Sequence, residues 1–176
     1  MKRMVCIIML ATLTISFPAF SQAQSNVKPI QLSLWDTIQL YDADTSIAGL
    51  RLSIYGVNRN VSGIDWGIVP KVTGDMLGWQ SGVVSIVEGN MTGYQEGCVN
   101  YVKGNVLGWQ NALINICKSE MVGFQSGFVN LSGNVRGIQL GFVNTTDQMY
   151  GLQVGIVNLN YQGNPFKFLP IVNFSF

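Results

Sequence analysis

The sequence predicts an all-β protein, and the first fold hypothesis is an up-and-down antiparallel meander that closes into a small, about ten-stranded outer-membrane-type β-barrel. Three observations support it: a repeat of 14 or 15 residues, Gly-Asn or Gly-Asp turn signals between the repeats, and an alternating aromatic segment at the C-terminus. A parallel β-solenoid with one 14–15-residue coil per repeat is the alternative.

The composition excludes several kinds of function. The chain has 176 residues, of which 48% are hydrophobic and 11% are charged, whereas an ordinary soluble domain carries about 25% charged residues. It contains no histidine, so it has no histidine base, relay or metal ligand. A formal net charge of +1 gives no electrostatic reason to bind nucleic acid.

The first 23 residues have the layout of a secretory signal peptide. Lys2 and Arg3 precede the apolar run Val5–Phe17, and small residues then allow cleavage near Ser21 or Ala23. The run is shorter than the ~20 residues that a spanning helix needs. We therefore expect an exported protein of the outer membrane or cell surface, with formal charge −1 once Lys2 and Arg3 are removed.

The remaining residues, 24–176, form one predicted β domain that contains a repeat over residues 49–158. Each unit reads Gly, apolar, usually Gln, any residue, usually Gly, apolar, and commonly Val and Asn. Positions below are counted from the first glycine of a unit. The eight units begin at Gly49, Gly63, Gly78, Gly93, Gly108, Gly123, Gly137 and Gly151.

Two units show the motif most clearly, GYQEGCVN from Gly93 and GFQSGFVN from Gly123. This pattern resembles a family of bacterial surface-repeat proteins first named in Leptospira, whose units carry the motif G-x-Q-x-G-x-V-N. The resemblance implies an exported, surface-associated protein without an assigned reaction. The first two units depart from the motif, because Arg51 and Asp65 stand where Gln is expected.

Side chains alternate across a strand, so each unit has a polar and an apolar face. The polar face carries the third position of each unit between small residues. Its members are Arg51, Asp65, Gln80, Gln95, Gln110, Gln125, Gln139 and Gln153. The second and sixth positions are apolar in every unit and share the other face, which includes Trp79, Tyr94, Trp109, Phe124, Phe128 and Phe142.

In the barrel, the third-position residues form a polar layer in a narrow lumen, and the aromatic residues form two girdles against membrane lipid. A Gly-Asn turn at 104–105 would place Asn100 opposite Trp109. The last strand, 166–176, with Phe174 and Phe176, resembles the signal read by the outer-membrane assembly machinery. The ten predicted strands are 30–41, 47–58, 61–71, 76–87, 91–102, 106–117, 121–131, 135–145, 149–160 and 166–176.

The best argument for the solenoid is that odd and even units look alike. In a meander, alternate strands run in opposite directions, so the recurring Asn residues would lie at opposite rims. In a solenoid, the Gln and Asn residues stack as ladders, and the aromatic residues of the second position would be core.

Few residues are candidates for a site. Arg51 and Asp65 could tune the passage of small solutes through a lumen, or could fill it as a structural pair. The Gln series could bind a surface ligand, or could form a packing ladder. Cys98 and Cys117 match no redox or zinc motif and are interpreted as small apolar residues. Asp36, Asp42 and Asp44 are interpreted as a solvated turn.

No catalytic, cofactor-binding or metal-ligating residue is predicted, and no cofactor. The sequence favours a non-enzymatic surface protein with a structural, adhesive or narrow-pore role, whose partners are membrane lipid and the assembly machinery. The alternative is a soluble or surface-attached β-solenoid that acts as a binding or adhesion module.

Overall fold

A computed structural model of the chain describes residues 26–163 and 165–176. The predicted signal peptide and its cleavage site lie outside these residues. Among the described residues, no helix is long and apolar enough to cross a membrane. The strands are β1 (Val27–Trp35), β2 (Ile38–Gln39), β3 (Ser46–Asn58), β4 (Val61–Val72), β5 (Met76–Val87), β6 (Met91–Val102), β7 (Val106–Asn160) and β8 (Phe168–Ser175).

The fold is a parallel β-solenoid, so the barrel prediction is wrong and the alternative architecture is confirmed. The strands form one sheet in the order β2-β1-β3-β4-β5-β6-β7-β8. From β3 to the start of β7, each repeat unit pairs in parallel and in register with the next unit along the chain. The 55-residue β7 contains the last four units, and these units also stack coil on coil, since Gln125, Gln139 and Gln153 each bond to the Gln of the preceding unit.

The register shows why the hairpin prediction fails. Asn100 pairs with Asn115, not with Trp109, and Trp109 pairs with Tyr94 one coil earlier. Each residue therefore lies beside the residue at the same position of the neighbouring unit, as parallel stacking requires. The ten separate antiparallel strands predicted from the turn signals are wrong for the same reason.

The Gly-Asn and Gly-Asp signals are turns that lead from one coil into the next and not hairpin turns. Their Asn and Asp side chains bond the backbone of the next coil. The backbone N–H of Asp75 donates to Oδ1 of Asn60 at 2.9 Å, and that of Asn90 donates to Oδ1 of Asp75 at 2.8 Å. Asn90 and Asn105 accept in the same way. This column supplies partners to backbone groups that the turns would otherwise leave unpaired.

The first glycine of each unit has a backbone conformation that only glycine adopts readily. Gly93, for example, has φ 125°, in a region that is strained for any residue with a Cβ. A Cβ on Gly93 would also collide with the carbonyl oxygen of Gly78 in the preceding coil. The backbone conformation and the close stacking of the coils therefore both require glycine at the first position of the repeat.

Each coil is flattened. One extended segment runs from two residues before the first glycine to the fourth position. A corner follows at the fifth and sixth positions, where the sixth-position residues of neighbouring coils are not paired. A second segment then reaches the tenth position. The turn at positions eleven to thirteen leads into the next unit. Along the chain, about half a coil separates the corner from the following turn, and about half a coil separates that turn from the next corner. The corner and the turn therefore form opposite edges of the solenoid.

The apolar core is small and lies beside the turn edge. It comes from the tenth position of four units and from the second residue before each first glycine. Its members are Ile47, Val61, Val72, Met76, Val87, Met91, Val102, Val106, Cys117, Met121, Val135 and Met149. The rest of the interior is polar.

Both ends of the solenoid are closed by extra strands. Strand β1 adds in parallel to β3, and β2 pairs antiparallel with β1. At the other end, β8 pairs antiparallel with the last coil, where Leu152 faces Phe174 and Gln153 faces Asn173. The predicted closing strand at 166–176 is thus present in part as β8, but it ends a solenoid and does not close a barrel.

Candidate functional surface

The third-position residues form a buried hydrogen-bonded column, here called the Gln ladder. Gln95 donates from Nε2 to Oε1 of Gln80, and Gln110 donates to Gln95, each at 2.7 Å. The same bond links Gln125 to Gln110, Gln139 to Gln125 and Gln153 to Gln139. All six Gln side chains are fully buried. Every amide therefore donates toward the N-terminal end and accepts from the next coil.

The two departures from the repeat motif form the N-terminal end of this ladder. Asp65 accepts from Nε2 of Gln80 at 2.8 Å and takes two further bonds from Arg51, at 2.7 Å from Nε and 2.6 Å from Nη2. An ionised carboxylate can only accept hydrogen bonds, so it can receive the bond from the last amide but cannot pass one on to a further coil. Arg51 compensates the buried charge in bidentate geometry.

The C-terminal end of the ladder is closed by β8. Asn173 is fully buried, and its Nδ2 donates to Oε1 of Gln153 at 3.4 Å. This bond is longer than those inside the ladder. The ladder is consequently bounded by a charged pair at one end and by a neutral amide at the other.

A second buried column, the Asn ladder, occupies the eighth position and runs in the opposite direction. Asn100 donates from Nδ2 to Oδ1 of Asn115 at 3.0 Å, and Asn115 donates to Asn130 at 2.9 Å. The bonds continue through Asn144 to Asn158. Because the two columns point in opposite directions, their amide dipoles oppose each other inside one coil.

The Asn ladder begins abruptly. The unit before Asn100 carries Ser85 at this position, and Oδ1 of Asn100 is buried without a hydrogen-bond partner. Ser85 instead donates its hydroxyl to the carbonyl of Glu96 at 3.4 Å. An unpaired buried acceptor costs about 1–3 kcal/mol, so this rung is a weak point of the polar interior, as are the buried unpaired atoms Ser53 Oγ, Asn160 Oδ1 and Asn173 Oδ1.

These positions show what becomes of the predicted lumen layer. Its eight residues lie together, but inside a solenoid, where they bond to one another across coils. Solute passage past Arg51 and Asp65 required the barrel and is abandoned with it. The Gln residues form the packing ladder that the sequence offered as one of two readings.

The apolar residues of the repeat lie on the outside. At the sixth position, Phe128 and Phe142 are 53% and 51% exposed, and their rings stack at 4.5 Å. At the second position, Trp79 and Trp109 are also exposed. The expectation that the aromatic residues of a solenoid would be core is therefore wrong, since polar ladders occupy the interior.

An outer surface rich in apolar side chains runs the length of the solenoid at the corner. We call it the apolar edge, and define it as the sixth-position row. Its members are Ile54, Ile68, Val83, Cys98, Leu113, Phe128, Phe142 and Ile156, and all are exposed. With eight exposed members, the row is comparable in area to the largest patch on a typical monomer, roughly 300–600 Å², which is often functional.

Neighbouring rows extend this surface around the corner. On the side of the second segment, the seventh position is Val, Ile or Tyr in every unit. On the side of the first segment, the fourth position contributes the exposed Trp66 and Leu140 near the two ends. In the four middle units the fourth position is polar, namely Ser81, Glu96, Asn111 and Ser126. The corner is thus apolar along its whole second-segment flank, but on the first-segment flank only near the two ends.

Within the repeat, residues 49–158, one charged residue lies beside the apolar edge, and it is hydrogen-bonded by two aromatic side chains. Glu96, at a fourth position, accepts from Nε1 of Trp79 at 3.2 Å and from the hydroxyl of Tyr94 at 2.9 Å. Partial burial raises the pKa of Tyr94, and its bond to Glu96 raises it further. The Tyr94 hydroxyl therefore remains a donor to this carboxylate well above neutral pH.

The other outer charges of the repeat gather at the turn edge. Arg59, Asp75, Glu88, Lys103, Lys118, Glu120 and Asp147 occupy turn positions. Lys71 and Arg136 lie outside the turns, but each bonds to a turn carboxylate at 2.7 Å, Lys71 to Glu88 and Arg136 to Glu120. The bond between Lys71 and Glu88 raises the pKa of Lys71 and lowers that of Glu88.

The two described cysteines lie on different sides of the sheet. Cys98 is exposed on the apolar edge, and Cys117 is buried in the core. Burial raises the pKa of the Cys117 thiol to about 11. The description of both as small apolar residues fits their positions, but they are not equivalent.

Comparison of the chain with protein-family models, with curated proteins and with solved structures gives no match. Within residues 26–163 and 165–176, no group of three His, Cys, Asp or Glu side chains is arranged to hold a metal ion. The fold and the distribution of side chains are therefore the observations from which a function must be argued.

Proposed function

We propose that this protein is an exported, surface-attached β-solenoid that acts as a binding or adhesion module and not as an enzyme. The observation that carries the proposal is the inverted distribution of side chains: amide ladders fill most of the interior, and large apolar side chains point outward along the whole solenoid. A surface of this kind is stable in the cell only when a partner covers it.

The buried charges support a structural and not a catalytic interior. Arg51 and Asp65 are fully buried and bond to each other and to ladder amides. Such a pair has no access to a substrate in solution, and its bonding explains its presence without a reaction.

Export is supported by the predicted signal peptide at 1–23, and attachment at a surface by the resemblance to the surface-repeat family. The apolar rows agree with both, because an apolar exterior suits a protein that is delivered to an envelope. The outer membrane of a bacterium is the location that these features favour together.

The test is fractionation of the native host with mass spectrometry of the N-terminus. We expect the protein in the envelope fraction, with a new N-terminus after Ser21 or Ala23. Protease added to intact cells should degrade it while a periplasmic marker protein survives. A cytoplasmic protein that retains residues 1–23 would overturn the proposal.

A further inference from the structure

We propose that the apolar edge docks this protein on the surface of a lipid bilayer, with the solenoid axis lying in the plane of the membrane and the charged turn edge facing water. The proposal rests on the surface attachment proposed above and names its partner as the acyl-chain boundary of a bilayer.

The charge distribution gives the solenoid the amphipathic character of an interfacial helix. Seven charged residues lie at the turns, and Lys71 and Arg136 bond to carboxylates there. The sixth-position row at the opposite edge has no charged member. An amphipathic element of this kind buries its apolar side about 5–10 Å into the boundary between headgroups and acyl chains.

The shape of the apolar surface suits a fluid partner. The corner is convex. Apolar side chains continue onto the second-segment flank at the seventh position, and on the first-segment flank the second position is apolar in every unit, beyond a fourth position that is polar in the four middle units. A rigid partner with a flat face would cover one flank and leave the other in water. Lipid can surround a convex edge on both sides.

The area argues against a second copy of this chain as the occupant. Eight coils at about 4.8 Å per coil give a length of about 38 Å, and the five residues of the second segment give a width of about 16 Å. One flank therefore presents a projected area of roughly 600 Å², and a second copy seated on it would cover that flank alone. Pairing through it would still leave the corner exposed.

The aromatic residues fit the proposed orientation. Trp79 and Trp109 lie on the first segment, between the corner and the turn edge, and their indole N–H groups bond to Glu96 and to Ser126. Trp and Tyr are enriched at this depth, where one part of the ring is in an apolar environment and the other reaches polar groups.

The structure offers a native probe of this orientation, since Cys98 lies exposed near the middle of the apolar edge while Cys117 is buried. In a Cys6→Ser background, an environment-sensitive fluorophore can be attached to Cys98 near neutral pH. The matched probe is placed at the turn edge by Lys103→Cys combined with Cys98→Ser. We expect vesicles of neutral phosphatidylcholine to raise the emission and shift it to the blue at Cys98 only.

A variant pair tests the same surface by affinity. Phe128→Ser combined with Phe142→Ser should weaken partition into the vesicles at least tenfold. Tyr161→Ser, which removes an exposed aromatic side chain close to the turn edge, should change partition less than twofold. Far-UV circular dichroism confirms that both variants are folded, and high salt should not release the wild-type protein.

Each other result would overturn the inference. Folded protein that does not bind vesicles, equal responses of the two fluorophores, or equal losses in the two variants would each exclude the apolar edge as a lipid contact. A stable dimer that depends on Phe128 and Phe142 would instead identify an interface between copies. If the protein is surface-attached in the host yet fails these tests, only the lipid partner is wrong. If it is not exported, the proposed function is wrong as well.

Discussion

Replacement of Gln110 by Glu tests the contribution of the Gln ladder most directly. The Gln110 side chain is fully buried, donates to Oε1 of Gln95 and accepts from Nε2 of Gln125, both at 2.7 Å. Glu has nearly the same shape and can still accept from Gln125. It loses the donor, however, and at neutral pH places a negative charge beside the oxygen of Gln95.

The size of the effect follows from these contacts. The orphaned oxygen of Gln95 costs about 1–3 kcal/mol, and an unpaired buried carboxylate costs several kcal/mol more. We therefore expect Gln110→Glu to lose at least ~3 kcal/mol at neutral pH, out of a total of roughly 5–15 kcal/mol for a typical domain.

The loss should depend on pH in a defined direction. Burial raises the pKa of the new carboxyl above the ordinary value of about 4.3. Below that value the group is protonated in both the folded and the unfolded chain, and its O–H can donate to Gln95. The deficit relative to wild type should thus shrink toward about pH 3.5 and grow as the pH rises.

The assay is urea unfolding followed by far-UV circular dichroism at about pH 3.5 and about pH 7.5, with comparison of midpoints. The matched control is Gln148→Glu, because Gln148 makes a 2.6 Å bond to Gln162 in the same chemical manner but on the surface. If the two variants unfold at the same urea concentration at neutral pH, the buried ladder does not contribute as argued.

Three further predictions follow from the interior and the backbone. Gly93→Ala should destabilise by at least ~2 kcal/mol, because φ is 125° there and a Cβ meets the Gly78 carbonyl. Gly97→Ala is the control, because a Cβ there also meets a backbone carbonyl oxygen, that of Gly82, but Gly97 does not have a positive φ. It should therefore cost less in thermal unfolding than Gly93→Ala, and the reverse order would refute the conformational argument. Ser85→Asn should change stability by less than ~1 kcal/mol, because the new amide donates to Oδ1 of Asn100 but leaves its own Oδ1 beside Pro70, which has no N–H to donate; a large rise in melting temperature would contradict this. Cys117→Val should remove a loss of stability at alkaline pH. Because the folded pKa of Cys117 is raised to about 11, wild type should lose up to ~2.7 kcal/mol between about pH 9 and pH 11 relative to the variant; parallel curves in chemical unfolding would exclude the effect.

The repeat and its faces could be predicted from the sequence. The units that begin at Gly78 and Gly93 were aligned by motif alone, and the structure pairs them at the same positions. The separation of the third position from the second and sixth positions follows from strand alternation, and it holds for Gln95, Tyr94 and Cys98.

The direction of pairing could not be predicted from the same residues. Gly-Asn favours a hairpin turn because glycine and asparagine tolerate positive φ. In the solenoid, however, Asn90 and Asn105 lie in the turn between two coils and accept backbone hydrogen bonds from the next coil. The alternating Phe residues of the last strand fit both an assembly signal and an antiparallel cap. Only the equal appearance of odd and even units favoured parallel stacking.

The prediction that the second-position aromatic side chains form the core of a solenoid is wrong. Trp109 was expected in the core because large apolar side chains are usually buried. In a coil of 14 or 15 residues the interior is narrow, and stacked amides satisfy one another there at every rung. The sequence does contain a signal for the N-terminal end of the Gln ladder. Arg51, which has several donors, and Asp65, which can only accept, replace Gln at the start of the series.

The like-with-like bonding of the ladders has a consequence for how such a protein changes length. If the unit that begins at Gly108 were deleted, Gln125 would meet Gln95 and Asn130 would meet Asn100, so each amide would find the same partner as before. A duplicated unit would be accommodated equally well, because the charged pair and the C-terminal strand close the ends whatever lies between them. The number of coils is therefore free to vary by unequal recombination, and with it the span of surface that one molecule covers.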